Sequence, residues 1–249
     1  MGSAGKHIER SFECRITIRC FSCKNFFSAP SPALDFAGDF ATLGATFERI
    51  GIDMTKADCR SRLMEVGTRL FAERGLHGVS VRELSEAAGA SISMISYHFG
   101  SKEGLYSSVL QEQFACFDQF EEIRRQGAGP LAVIEGYLRW TMLRHRNNPY
   151  LLRFYTSELT NPTTWFASIV SPAIANVIRI LAEVIEEGMQ QGQFRQDIEA
   201  VNAALALAGM VNYFFLSTLA TESLTSHSPE QDEQLIRQYV AIFTTGIIT

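Results

Sequence analysis

The feature that most constrains this chain is the run from Ser80 to Tyr106, where helix caps and glycines recur too closely for anything but short helices. Ser80 with Glu83 three places on is a capping box, in which each side chain takes the other residue's backbone N–H. The helix it opens carries Val81, Leu84 and Ala88 on one side and stops at Gly89. Ser91 is placed to cap the next short helix, Gly100 closes it, and Ser101 caps a third. On a wheel of about 100° per residue, Ile92, Ile95 and Phe99 of the middle helix cluster on one side, with Ser96 at the margin. Ser93, Met94, Tyr97 and His98 point the other way. Two short helices around a glycine-centred turn, the second exposing a polar and aromatic face, make the geometry that enters a major groove.

The flanks fit a helical protein. Leu63, Val66, Gly67, Leu70 and Phe71 form one apolar stripe of an amphipathic helix, which Gly75 stops after Arg74. From Lys102 a helix is predicted to run unbroken to about Gln126, a length of about 37 Å. Gly127-Ala128-Gly129-Pro130 then breaks the chain. Beyond it, helical periods are predicted over 130–147, 149–160, 163–190, 198–221 and 229–247. The last of these starts with Ser228 at the N-cap, Pro229 at N1 and a capping-box Gln231. No strand pattern or internal repeat is present. The expected fold class is therefore all-α, a three-helix helix-turn-helix unit over 54–106 followed by a helical domain over 107–249.

Composition excludes more than it selects. Formal net charge is −5, and from Met54 to Leu105 seven Lys/Arg stand against six Asp/Glu, a balance that permits phosphate contact without demanding it. Five cysteines in a chain of 249 residues read as free thiols in a reducing compartment, so a cytoplasmic location is expected. Cys20 and Cys23 form one CxxC with Cys14 nearby, but no second pair follows at zinc spacing; no metal and no cofactor are expected. Residues 1–53 hold no sustained helical period and are expected to be mostly disordered, an upstream extension before a natural start at Met54. Arg19 and Lys24 interrupt the apolar run there, so it does not read as a secretory signal. Val201–Ala220 approaches the length of a membrane span. Asn202 and Asn212 lie inside it without basic flanks, so a helix buried in a dimer fits better and no membrane partner is expected.

The run SVRELSEAAGASISMISYHFGSKEGLY, from Ser80 to Tyr106, with Leu70–Gly75 and Gly78–Ser80 before it, resembles the DNA-binding domain of the tetracycline-repressor (TetR) family. The likeness covers roughly residues 57–106 and implies a regulator that binds double-stranded operator DNA. It implies that Ser80 and the helix after it touch phosphate and that Arg82 reaches phosphate or a base edge. Ser91, Ser93, Met94, Tyr97 and His98 would lie at the groove, and Lys102 would anchor a phosphate. Plainer alternatives stand beside these: Arg82 as a solvated helix residue, Tyr97 and His98 as packing groups. Ser93 and Ser96 depart from what many family members carry, so the resemblance transfers no sequence preference.

Resemblance thins beyond Phe120. Arg153–Pro162 and Pro172 look similar to the C-terminal domain of one TetR subgroup, and in the family this domain binds a small effector and forms the dimer. Tyr137, Trp140, Arg153, Tyr155, Glu158, Trp165 and Tyr213 supply aromatic walls and a few polar groups, the chemistry of a small-molecule pocket, or else belong to core and surface. Leu235, Tyr239, Ile242, Phe243 and Ile247 form an apolar stripe; with 198–221 it would build a four-helix bundle across a two-fold axis, making a homodimer. The expected function is a repressor that binds a palindromic operator as a dimer and is released by a small-molecule effector. Three alternatives stay open: the same fold without an effector, acting architecturally or in division or replication control; a helical enzyme; and a membrane-associated protein using 201–220. For the enzyme, no HExxH, GxSxG, Walker-type loop or paired Glu-x-x-His is present.

Overall fold

The computed structural model describes residues 56–115 and 118–248. The segment 1–53 with Cys14, Cys20 and Cys23, the start read at Met54, and Cys116 lie outside the described residues. Helices α1 (Lys56–Arg74), α2 (Val81–Ala87), α3 (Ile92–Phe99) and α4 (Lys102–Phe114) follow the sequence punctuation. Ser80 Oγ accepts from the Glu83 N–H at 3.2 Å while Glu83 Oε2 accepts from the Ser80 N–H at 2.8 Å, so the capping box is formed. Ser101 Oγ accepts from the Gly104 N–H at 3.1 Å. Ser91 holds the N-cap position, but its hydroxyl pairs with Ser93 Oγ at 2.8 Å rather than capping α3. Gly89 and Gly100, on either side of α3, have φ of +59° and +76°, a left-handed backbone that costs other residues about 1–2 kcal/mol.

The rest of the chain comprises α5 (Asp118–Gln126), α6 (Pro130–Asn147) and α7 (Leu151–Thr160). A π-helical turn (Phe166–Val170) runs into α8 (Ser171–Gln190), followed by α9 (Ala200–Leu216) and the short α10 (Thr218–Thr221). A 3-10 turn (Pro229–Gln231) leads into α11 (Asp232–Ile247). The fold is all-α; among the described residues the one piece of β geometry is an isolated antiparallel bridge between Phe194 and Ile248.

The structure departs from the sequence reading at both ends of this half. Of the helix predicted from Lys102 to Gln126, α4 ends at Phe114 with Ala115 as its C-cap, and α5 is described from Asp118, beyond the undescribed residues 116 and 117. No glycine or proline after Lys102 marks the end of α4 at Phe114; Gly104 lies in its first turn. The capping box predicted at Ser228 and Gln231 does not form. The Gln231 N–H bonds the Ser228 carbonyl at 3.2 Å in the tighter 3-10 turn, and Gln231 itself is the N-cap of α11.

Two cores hold these elements. The first gathers Leu63 and Phe71 of α1, Leu84 of α2, Ile95 of α3 and Leu105, Tyr106 and Leu110 of α4. Phe154 of α7 and Val170 of the π turn belong to the same core, although they lie far along the chain. The second joins Ile134 and Leu138 of α6 to Ile180, Leu181 and Ile185 of α8, Leu207 and Val211 of α9, and Phe243 of α11. Each such fully buried side chain contributes about 1.5–3 kcal/mol. By length and composition Phe166–Gln190 would also cross a bilayer; its Ile180, Leu181 and Ile185 are buried in the second core. α9, where the sequence suggested a near-span, is shorter than one.

Candidate nucleic-acid interface and cavity

The capping box sets the entry to the helix-turn-helix. Glu83 accepts from the Ser80 backbone and from Arg74 at 2.9 Å, and those bonds, the backbone one first, draw its carboxyl down to about 2. Glu83 is therefore ionised at neutral pH, and its charge favours the N-terminal end of α2. Ser80 is exposed beside it. Arg82 reaches outward, its side chain 81% exposed and its guanidinium paired with Glu86 at 2.7 Å.

α3 presents a different face from the one its wheel suggested. Ser91, Ile92, Ser93, Ser96 and Tyr97 are exposed, while Ile95 is buried and Met94, His98 and Phe99 are half-buried. Taking Ile92 as zero, the exposed Ser96, Ser93 and Tyr97 fall at about 40°, 100° and 140°, and the inward Met94, His98, Ile95 and Phe99 at about 200°, 240°, 300° and 340°. Ile92, expected in the core, is 51% exposed. Met94, expected at the groove, packs against the first core. His98, also expected outward, has its Nε2 shut off from solvent, and its ring lies edge-on to Tyr97 at 4.9 Å. The physical reason is the length of α3: so short a helix must turn a broad arc inward to be held, and that arc takes in Met94 and His98. Tyr97 stays outside at 64% exposure.

Lys102 lies at the first turn of α4, and its ammonium donates to the Leu76 and Val79 carbonyls, each at 2.9 Å. An ammonium carries three donors, so this lysine ties the α1–α2 connection to α4 with two of them and can turn the third toward an anion.

Where the two cores approach each other lies a partly open cavity lined by Phe114 of α4; Tyr137, Trp140, Thr141, Arg144 and His145 of α6; Leu151 and Tyr155 of α7; Ile174, Val177 and Ile178 of α8; and Ala208 and Asn212 of α9. Its volume is about 60 Å³, room for roughly four waters. Of the pocket residues expected from sequence, Tyr137, Trp140 and Tyr155 meet here. Arg153 and Tyr213 are exposed on the surface, and Glu158 and Trp165 pack near Tyr106 instead. Sequence reasoning missed the polar members. His145 Nε2 and Asn212 Oδ1 lie 2.8 Å apart, and Arg144 donates to the Gln113 carbonyl at 2.9 Å with its guanidinium 4.7 Å over the Trp140 ring. Burial pushes the Tyr137 hydroxyl up to about 12 and the His145 imidazole below its ordinary value, so both face the cavity uncharged at neutral pH. The helical register of Tyr137, Thr141 and His145, four apart on α6, was the signal that could have found them.

The profile of bacterial regulatory proteins of the tetR family matches residues 63–109, and that of the tetracyclin repressor-like C-terminal domain matches residues 130–243. The chain belongs to the TetR family of transcriptional regulators. Among similar TetR proteins, the transcriptional repressor NicS of Pseudomonas putida is 26% identical over 179 residues, 70% of this chain and 84% of that protein. The structure of the ketosteroid regulator KstR2 of Mycobacterium tuberculosis superposes with a TM-score of 0.64 at 22% identity, covering 76% of this chain and 95% of that one. That of AibR in complex with isovaleryl coenzyme A and operator DNA gives 0.61 at 19% identity, covering 74% and 97%.

Within this TetR fold one polar cluster joins the first core to the helices around the cavity. The Tyr106 hydroxyl donates to Glu158 Oε1 at 2.7 Å, and Glu158 also accepts from the Thr163 N–H at 3.1 Å and its hydroxyl at 3.0 Å. Glu158 is fully buried, and both burial and its carboxylate raise the Tyr106 phenol well above its ordinary value. Val201, Leu205, Tyr213 and Leu216 of α9 and Ile242 of α11 are exposed. Ala206 and Gly209 of α9 and Ala241 and Gly246 of α11 are exposed as well.

Proposed function

We propose that this chain is a cytoplasmic one-component repressor that binds a palindromic operator as a homodimer and leaves it when a small molecule enters the cavity. Residues 54–106 act as the DNA-binding unit and 107–249 as the effector-binding and dimerisation domain, with no cofactor. The observation that carries this reading is α4 itself. Its first turn holds the helix-turn-helix through Lys102, and its last residue, Phe114, borders the cavity. Helix α4 spans 13 residues, about 20 Å, so a displacement at Phe114 is felt within one short rigid element. A ligand larger than a few waters must spread the cavity walls. It shifts the DNA-binding state only by as much as it prefers the spread form.

The exposed faces of α9 and α11 suit a second copy, four helices meeting across a two-fold axis. Two copies place two α3 helices on two half-sites. A protection footprint on DNA upstream of the chain's own gene, repeated with candidate ligands, tests the reading: a palindrome should be protected and then released. No protected palindrome would overturn autoregulation, and protection indifferent to every ligand would favour a regulator without an effector. Tyr97→Ala is expected to weaken operator binding by about 1–3 kcal/mol in a gel-shift titration.

A further inference from the structure

We infer that Ile92 is a specificity-determining residue that reads the C5-methyl group of a thymine in the major groove, an inference resting on the reading of α3 above as the groove-entering helix. α3 has the sequence ISMISYHF and so carries no Arg, Lys, Asn, Gln, Asp or Glu. Those are the side chains that pair with base edges in a bidentate way or accept from cytosine. What α3 turns outward is three small or aromatic hydroxyl residues, Ser93, Ser96 and Tyr97, and one aliphatic one, Ile92. A hydroxyl both donates and accepts, so it discriminates weakly between bases. The Ser93 hydroxyl is moreover engaged by Ser91 at 2.8 Å.

Ile92 stands at the first position of α3 with Ser96 one turn behind it on the same face. The small serine leaves the flank of the isoleucine clear, and the side chain is 51% exposed. Single exposed aliphatic residues are ordinary on protein surfaces; this one stands at the edge of an outward face whose other members are hydroxyl residues. The thymine methyl is the apolar group that a major groove offers. A branched aliphatic side chain against that methyl removes both from water, and no other base presents an equivalent.

The test uses the full-length chain and duplexes it selects from a randomised library. Each thymidine in a selected duplex is replaced by deoxyuridine, which deletes the methyl and nothing else. At one position per half-site this should weaken binding about fourfold, and about fifteenfold when both half-sites are changed. Ile92→Ala should bind the thymine duplex as weakly as the native chain binds the uracil one, and should no longer distinguish the two. Ile92→Val should keep most of the discrimination, and unchanged thermal midpoints would show that both variants fold. Equal tolerance of uracil at every position by the native chain would overturn the assignment. So would an Ile92→Ala variant that still distinguishes thymine from uracil. If no duplex is enriched at all, the reading of α3 falls first and the role of Ile92 with it.

Discussion

The two ends of α4 meet different kinds of construction. At Lys102 the helix-turn-helix is held by bonds between near neighbours: the Ser80–Glu83 capping box, glycines with positive φ at both ends of α3, and an ammonium clasping two carbonyls. At Phe114 the same helix borders a cavity whose walls come from five helices and meet chiefly through aromatic and aliphatic contact. Local bonds of the first kind fix a shape closely and yield little. Side-chain packing of the second kind leaves slack, and a cavity is slack made visible. On the proposed function, sequence reading is thus set in the stiff region, and responsiveness belongs to the soft one.

Phe154→Ala is the strongest way to break that contrast. Phe154 is buried in the first core although it sits in α7, so its loss should cost about 3–5 kcal/mol and lower amide protection across α1–α4. Unchanged protection there would mean that the two regions stand independently. Tyr106→Phe comes next. It leaves buried Glu158 short of one donor, an expected loss of about 1–3 kcal/mol in urea denaturation; a neutral result would show that Thr163 suffices. Ser80→Ala should cost about 1 kcal/mol, confined to the stiff region, with exchange in α6, α8 and α9 unaffected. The smallest effect belongs to His145, whose imidazole is held below its ordinary value by burial and by Arg144, against the Asn212 contact. Just below about pH 6.5 the unfolded chain takes up a proton there that the folded chain refuses, so stability falls on acidification and is level above that pH. Between about pH 7.5 and 5.5 the thermal midpoint should drop further for the native chain than for His145→Gln.

The same contrast explains what could be read from the sequence. Caps and turn glycines act over three or four residues, so Ser80, Gly89, Gly100 and Ser101 announced α2, α3 and the start of α4 nearly to the residue. Which arc of α3 turns inward depends on α1, α2 and α4 together, and there Ile92, Met94 and His98 were assigned to the wrong sides. In the cavity, residue chemistry picked out Tyr137, Trp140 and Tyr155 but also Arg153 and Tyr213, which are equally polar or aromatic and lie on the surface. Nothing local separates these groups; only the packing of α6 against α8 and α9 does.

The narrowness of the cavity carries a consequence for pharmacology. At about 60 Å³ it has two classes of visitor, those that fit as it stands and those that must force it wider. On the proposed function, a visitor of the first class keeps its contacts only while the walls stay as they are, so it occupies the site without releasing the DNA. Such a molecule is a silent blocker of larger effectors, and affinity and potency as an inducer would then rank ligands in different orders.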